Sequence, residues 1–361
     1  MHNQSHHARG KRAVSNWILI GVVMLLIQVV LGGVTRLSGS GLSITKWDVK
    51  LQAIPPLTEA AWTEHFDDYR KTPQFQHLNS DFTLQDFKYI FFWEWLHRNW
   101  GQVIALVFIV GFIYLLRKKY LKQEMVRPLI ILFLLGALQA VVGWIMVLSG
   151  LTGDAVYVQP TKLALHFIFA MGLIVYAFWF ALQLRIPVTE RVKAPSLQSW
   201  TGWLIFLVLV QLVFGALMAG HRAATAAPTW PDINGSLVPA TAWNEGKGLL
   251  NFIDNKITIH LVHRTLAYAI LVLIIIYSIK IFRFKTAGPV FRRAGRFPLL
   301  LVSLQLILGI LSLLTSNRIV PNRWGTFEWM AQLHQVTGMV FLLSLAAMLY
   351  LTRRPSITQL S

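Results

Sequence analysis

Eight apolar runs, each about the roughly 20 residues needed to cross a bilayer core as a helix, recur along the 361-residue chain. They cover 17–35, 91–116, 128–149, 163–184, 200–220, 259–282, 298–315 and 330–352. In lipid, backbone polar groups must be satisfied within each segment. The fold class expected is therefore all-α integral membrane, with eight transmembrane helices. The first run lacks a small-residue cleavage site and continues into Gly32-Gly33-Val34-Thr35-Arg36, so it reads as a retained helix and not as a signal peptide. Only 13% of residues are charged, against about a quarter in soluble proteins. The absence of cysteine excludes disulfides, thiolate metal sites, Fe–S clusters and thioether-linked heme. Metal chemistry must then rest on histidines and carboxylates.

The net charge of +18 is a topology signal. More than half of the 33 Lys and Arg fall in alternate connections: Arg9, Lys11 and Arg12; Arg117 to Arg127; Arg185, Arg191 and Lys193; Lys280 to Arg296; Arg353 and Arg354. The other connections are nearly neutral, and the long first one (37–90) is slightly acidic. The positive-inside bias places both termini in the cytoplasm and the long loops outside, in a cell membrane crossed many times. A nucleic-acid partner would need the charge gathered on one soluble surface, and none remains. The surrounding partner is membrane lipid. Lipid-facing and helix-facing surfaces have similar compositions, so the pattern suits a homo-oligomer as well as a monomer.

A repeat runs through these helices. The odd-numbered spans carry Gln-x-x-x-Gly near their outer halves, at Gln28…Gly32, Gln139…Gly143, Gln211…Gly215 and Gln305…Gly309. Each even-numbered span carries a histidine near its outer end: His97, His166, His263 and His334. His97 and His263 are 166 residues apart, as are Gln139 and Gln305, while His166 and His334 are 168 apart. Two homologous four-helix bundles related by a pseudo-twofold axis along the membrane normal account for this. The expected division is a tail (1–16), a first half (17–184) with its outer loop 37–90, a linker (185–199), a second half (200–352) and a tail (353–361). The glycines admit either close approach of a helix to a flat macrocycle or ordinary small-residue helix packing.

Intramembrane ionisable residues are costly and usually functional. Four histidines at equivalent depth form two pairs, and neutral imidazole is an axial ligand of heme iron. The pairs expected are His97 with His166, and His263 with His334. His2, His6, His7, His65 and His77 read as solvated, and His221 as closing the fifth helix. His260 competes with His263, one turn away on the same face, but His263 shares the His-Arg context of His97. His260 instead matches Glu94, a carboxylate one turn outward of His97. Glu94 suits a proton relay, a base or a charge stabiliser, or else a partner for Arg36, Arg98 or Lys88. Arg36, Arg98 and Arg264 suit heme propionates, or simply snorkel at helix ends. The Glu94/His260 difference suggests a reacting heme in the first half and an electron-carrying one in the second.

Gly32-Gly33-Val34-Thr35-Arg36-Leu37-Ser38-Gly39-Ser40-Gly41-Leu42-Ser43, followed by Trp47 and Pro55-Pro56-Leu57, resembles the first helix and outer loop of heme A synthases. Glu94-x-x-His97-Arg98, the surroundings of His166, Asn251-Phe252…His263-Arg264 and Gln332-x-His334-Gln335 extend the resemblance over essentially the whole chain. It implies an oxidoreductase that oxidises the C8 methyl of heme O to the formyl of heme A. His97 and His166 would hold the substrate heme beside Glu94, and His263 and His334 a heme b cofactor. The implied partners are a heme O synthase upstream and terminal oxidase assembly downstream. Lacking the outer-loop cysteine pair of many bacterial members, the chain resembles the mitochondrial and proteobacterial branch. Gly220-His221-Arg222…Pro231 fits the family only loosely and no functional residue is placed there, while the role of the loop 221–256 stays open. Competing readings are a quinone-linked diheme cytochrome b, which would place ligands at both membrane depths, and a repeat-built transporter, which would not require histidine pairs.

Overall fold

The computed structural model describes residues 2–46, 54–284, 288–320 and 323–353, with residues 2–8 as backbone alone. Trp47, Lys285, Arg354, the side chains of His2, His6 and His7, and all of the last tail but Arg353 lie outside the described residues. Eight long helices match the eight apolar runs: α1 (His2–Leu37), α2 (Leu84–Arg117), α3 (Gln123–Leu148), α4 (Pro160–Arg185), α5 (Pro195–Gly220), α6 (Lys256–Phe282), α7 (Phe297–Thr315) and α8 (Thr326–Thr352). All eight spans are long and apolar enough to cross a membrane, and the protein is an all-α integral membrane protein.

Several helices outrun their apolar stretches because capping chemistry sets the ends. α2 starts seven residues before position 91, at a capping box in which Thr83 and Asp86 each accept from the other's backbone N–H. Prolines at the first turn open α4 and α5, and the Asn255 side chain caps α6. α1 differs most from expectation, since helix begins at His2 and not near 17. The extension packs instead of fraying: Gly10 lies against the backbone of Tyr120, Ser15 Oγ donates to Ala181 O at 3.3 Å, and Arg185 donates to Asn16 Oδ1 at 2.6 Å. The linker after α4 is also tied down. Val192 N–H donates to Leu351 O at 2.7 Å, and the Tyr350 hydroxyl to Ile186 O at 2.9 Å.

α8 is the most buried span and packs on α1, α4, α5 and α7. Other packed neighbours are α1 with α2 and α4, α3 with α4, α4 with α5, α5 with α6, and α6 with α7. The core between them is apolar, including Leu204, Ile274, Leu345 and Met348. The long loop between α1 and α2 carries two short helices, Glu59–Arg70 and Pro73–Leu78. Phe66, Tyr69 and Phe82 from this loop pack with Ile44 and with Phe87, Ile90 and Phe91 of α2, covering that helix's N-terminal end.

Candidate diheme site

The repeated Gln-x-x-x-Gly motif and the four histidines meet, helix against helix. Gly32 of α1 faces the His97 ring, Gly143 of α3 that of His166, Gly215 of α5 that of His263, and Gly309 of α7 that of His334. A Cβ at these glycines would stand 3.2, 2.7, 3.2 and 2.9 Å from the ring atoms. The glycines therefore clear space for an imidazole, a more specific use than generic helix packing. The glutamines complete a clamp. Gln28, Gln139 and Gln211 each donate from Nε2 to the backbone carbonyl of His97, His166 and His263, at 3.0, 3.1 and 3.0 Å. In the fourth instance Gln305 Nε2 meets His334 Nε2 at 3.4 Å, and His334 Nδ1 lies 3.0 Å from Gln305 O. One helix thus fixes the rotation of the next, and with it the direction in which each imidazole points.

His263 and His334 face one another with ring centroids 6.4 Å apart and planes at 75°. A metal–imidazole bond is about 2 Å long, so two imidazoles sharing one ion put their centroids roughly 6–6.5 Å apart. His263 Nδ1 is buried without a hydrogen-bond partner, an atom that a bound group or a ring turn must satisfy. His97 and His166 are likewise electrostatic neighbours. Among the described residues, no three His or acidic groups gather as a metal cluster. Two imidazoles, with neutral amides and, among the described residues, no third charged or imidazole ligand beside them, suit an ion whose other ligands come from a macrocycle. The residues present fit heme.

Glu94 is almost wholly buried, and its carboxylate is fully engaged. Oε2 accepts from Ser43 N at 2.7 Å, Ser43 Oγ at 2.7 Å and Ile44 N at 3.0 Å, and Oε1 accepts from Arg98 Nη2 at 2.6 Å. Arg98 also donates to Ile44 O at 3.2 Å. Of the three basic candidates, Arg98 is thus the partner of Glu94, and together they pin the start of the α1–α2 loop to the turns of α2 that carry His97. The second half repeats this arrangement with other atoms. Arg264 donates from Nε to His260 Nδ1 at 3.1 Å and from its terminal nitrogens to the carbonyls of Asp232, Ala227 and Thr229 at 2.7, 3.1 and 2.8 Å. His260 takes the place of Glu94, as the sequence register implied. The loop after α5, whose role the sequence leaves open, is the counterpart of the loop at Ser43. Arg36 sits apart from both, at the end of α1, within electrostatic reach of Glu328 and of Arg222; Arg222 stacks over Tyr157 at 3.9 Å.

Residues 15–348 match the profile of the family described as cytochrome oxidase assembly protein. The chain belongs to this family. Among its relatives is a heme A synthase of Flavobacterium johnsoniae, 36% identical over 349 residues, covering 96% of this chain and 98% of that protein. A heme A synthase of Bradyrhizobium diazoefficiens is 38% identical over 306 residues, 84% of each chain. One of Paracoccus denitrificans is 35% identical, covering 86% and 82% respectively.

Within this cytochrome oxidase assembly scaffold, the sequence names the histidines, the glycines and glutamines of the repeat, Glu94 and Arg98, but not the other groups that hold them. Ser43 and Ile44 lie 51 and 50 positions from Glu94, and no local pattern links them. Gln332 and Gln335, which flank His334, donate to Val30 O and Val29 O of α1 at 3.3 and 3.0 Å. Both crowd Gly33, so α8 and α1 are joined beside both histidine pairs. The glutamines of the repeat were visible as a motif, but their partners were not.

Proposed function

We propose that this protein is a heme A synthase, an oxidoreductase of heme A biosynthesis that oxidises the C8 methyl of heme O to a formyl group. One observation carries this reading. Two imidazole pairs are each held by a glutamine and a glycine of the preceding helix, but one is bordered by a carboxylate (Glu94) and the other by an imidazole (His260). In this reading His97 and His166 bind the substrate heme, and Glu94 holds the loop over it and serves the reacting edge. His263 and His334 hold heme b, which supplies one-electron carriage. Arg36, Arg98 and Arg264 offer guanidinium groups toward propionates at the outer face, and Arg98 and Arg264 share that role with loop anchoring. The halves 17–184 and 200–352 act as a pseudo-twofold pair in the cell membrane, both termini cytoplasmic. A heme O synthase supplies the substrate, and terminal oxidase assembly receives the product.

The family relationship supports this over a quinone-linked diheme cytochrome b, as does the placement of all four histidines at the same ends of the helices. The test is chromatography of pigment extracted from the purified protein. Heme A or a hydroxylated heme O beside heme b is expected. Heme b alone, at two per chain, would identify an electron-transfer cytochrome.

A further inference from the structure

The two halves differ in how their helices close. In the second half every adjacent pair packs: α5 with α6, α6 with α7, α7 with α8, and α8 with α5. In the first half α1 packs with α2, α3 with α4, and α4 with α1, but among the described residues α2 and α3 meet far less than their counterparts α6 and α7. These are the least buried of the eight spans. Only residues 118–122 join them, so they are held together at the inner end and free to stand apart toward the outer end. His97 and the Gly143 cradle of His166 lie at that outer end. Both helices expose apolar side chains, among them Val103, Leu106 and Val110 on α2 and Leu134, Leu138 and Val141 on α3.

We infer that the seam between α2 and α3 is the lateral portal by which the substrate heme enters and leaves the His97/His166 site from the bilayer. The inference rests on the proposed function for the identity of the substrate, a tetrapyrrole with a long apolar tail. A flat ligand between histidines on α2 and α4 can pass only through a side of the bundle that helix packing leaves open, and a lipophilic tail is best solvated by acyl chains. The closed α6–α7 seam keeps the other heme in place. The same asymmetry accounts for one site exchanging its occupant while the other retains it, independently of the Glu94/His260 difference.

The absence of native cysteine makes a direct test clean. Leu106→Cys on α2 with Leu134→Cys on α3 would be bridged in the full-length holoprotein by a bis-maleimide with a reducible spacer. Val272→Cys on α6 with Leu300→Cys on α7, the positions equivalent in the repeat, form the control pair. Uptake of heme O from phosphatidylcholine vesicles is followed spectroscopically, with the heme b signature as the check that the fold persists. The α2–α3 bridge is expected to slow uptake at least tenfold with heme b unchanged, cleavage of the spacer to restore it, and the α6–α7 bridge to leave it unaltered. Unaltered uptake with the α2–α3 bridge in place would overturn the portal, as would absence of uptake by the unbridged protein. Bridges forming between two copies instead of within one would also overturn it, showing that the seam is covered by a second chain. Pigment analysis of the unbridged protein tests the enzymatic reading separately: gated uptake without formyl product would leave the portal standing and remove the activity.

Discussion

Glu94 anchors structure and, in the proposed function, stands beside chemistry as well. Its two oxygens accept four hydrogen bonds, one of them from Arg98. Removing one partner of a buried ion pair costs about 3–5 kcal/mol, because the other charge is left stranded. Glu94→Ala should therefore free the loop at Ser43 and Ile44, visible as faster amide exchange there, and abolish formyl production while heme b stays bound. Glu94→Gln keeps the shape and an acceptor oxygen. It should hold the loop substantially closed yet still lose most product. Full product from the glutamine variant, with its loop protected, would show that the carboxylate is structural alone. Loop contact and nearness to His97 are both present in the geometry, and only the isosteric change separates them. Sequence spacing brought Glu94 and His97 onto one helix face because that relation is local. It was silent on Ser43 because a loop has no period from which to read a contact.

At the scale of an element, each odd helix acts as a jig for the next. Adding branched carbon at Gly309 would drive Cβ to 2.9 Å from the His334 ring, and an apolar core does not yield cheaply to overpacking. Gly309→Val should abolish the low-spin bis-histidine signature of heme b. Gly136→Ala, on α3 with nothing within 4 Å, should leave both spectra unchanged. Gln211→Met keeps the bulk but loses the donor to His263 O. A hydrogen bond of this kind is worth about 1 kcal/mol, so heme b should remain bound with a shifted low-spin spectrum and modestly lowered thermal stability. Outside the membrane, the Lys46–Asp68 pair ties the start of the outer loop to its first short helix at 2.5 Å. Hydrogen bonding from Lys46 and Lys71 lowers the Asp68 pKa, and the bond to Asp68 raises that of Lys46. The tie is thus complete above the ordinary carboxylate pKa and below the ordinary lysine pKa. It is lost as pH falls below the former or climbs past the latter. Proteolysis of the loop should stay flat across neutral pH and accelerate only at those extremes, and Lys46→Ala should flatten the profile. The helices themselves were legible because twenty apolar residues admit little else in lipid. Their ends were less so: Thr83 with Asp86 and Asn255 set the starts of α2 and α6 by capping, which hydropathy does not record.

For the whole molecule, the repeat was readable from the matched offsets of Gln, Gly and His, but the differences between its two seams were not. Where α4 meets α5, Ala164 and Phe167 flank His166 and pack among Ala216, Leu217 and Val213. Where α8 meets α1, the equivalent positions beside His334 are Gln332 and Gln335, and both donate into α1. The sequence showed the glutamines without showing which helix they would face. α1 also presents Gln28 and Gly32 to His97, so a single helix touches the supports of both histidine pairs. The double variant Gln332→Leu/Gln335→Leu removes two donors whose acceptor carbonyls sit within a helix and already have helical partners. The expected loss is about 1 kcal/mol for each, too little to unfold a bundle of this size. Its effect should instead be positional and felt at both sites. The heme b signature should shift through His334, and the affinity for heme O should fall severalfold through the displacement of α1 against His97. A change confined to heme b, with heme O binding as in the unaltered protein, would show that the seam joins the halves without transmitting anything between them.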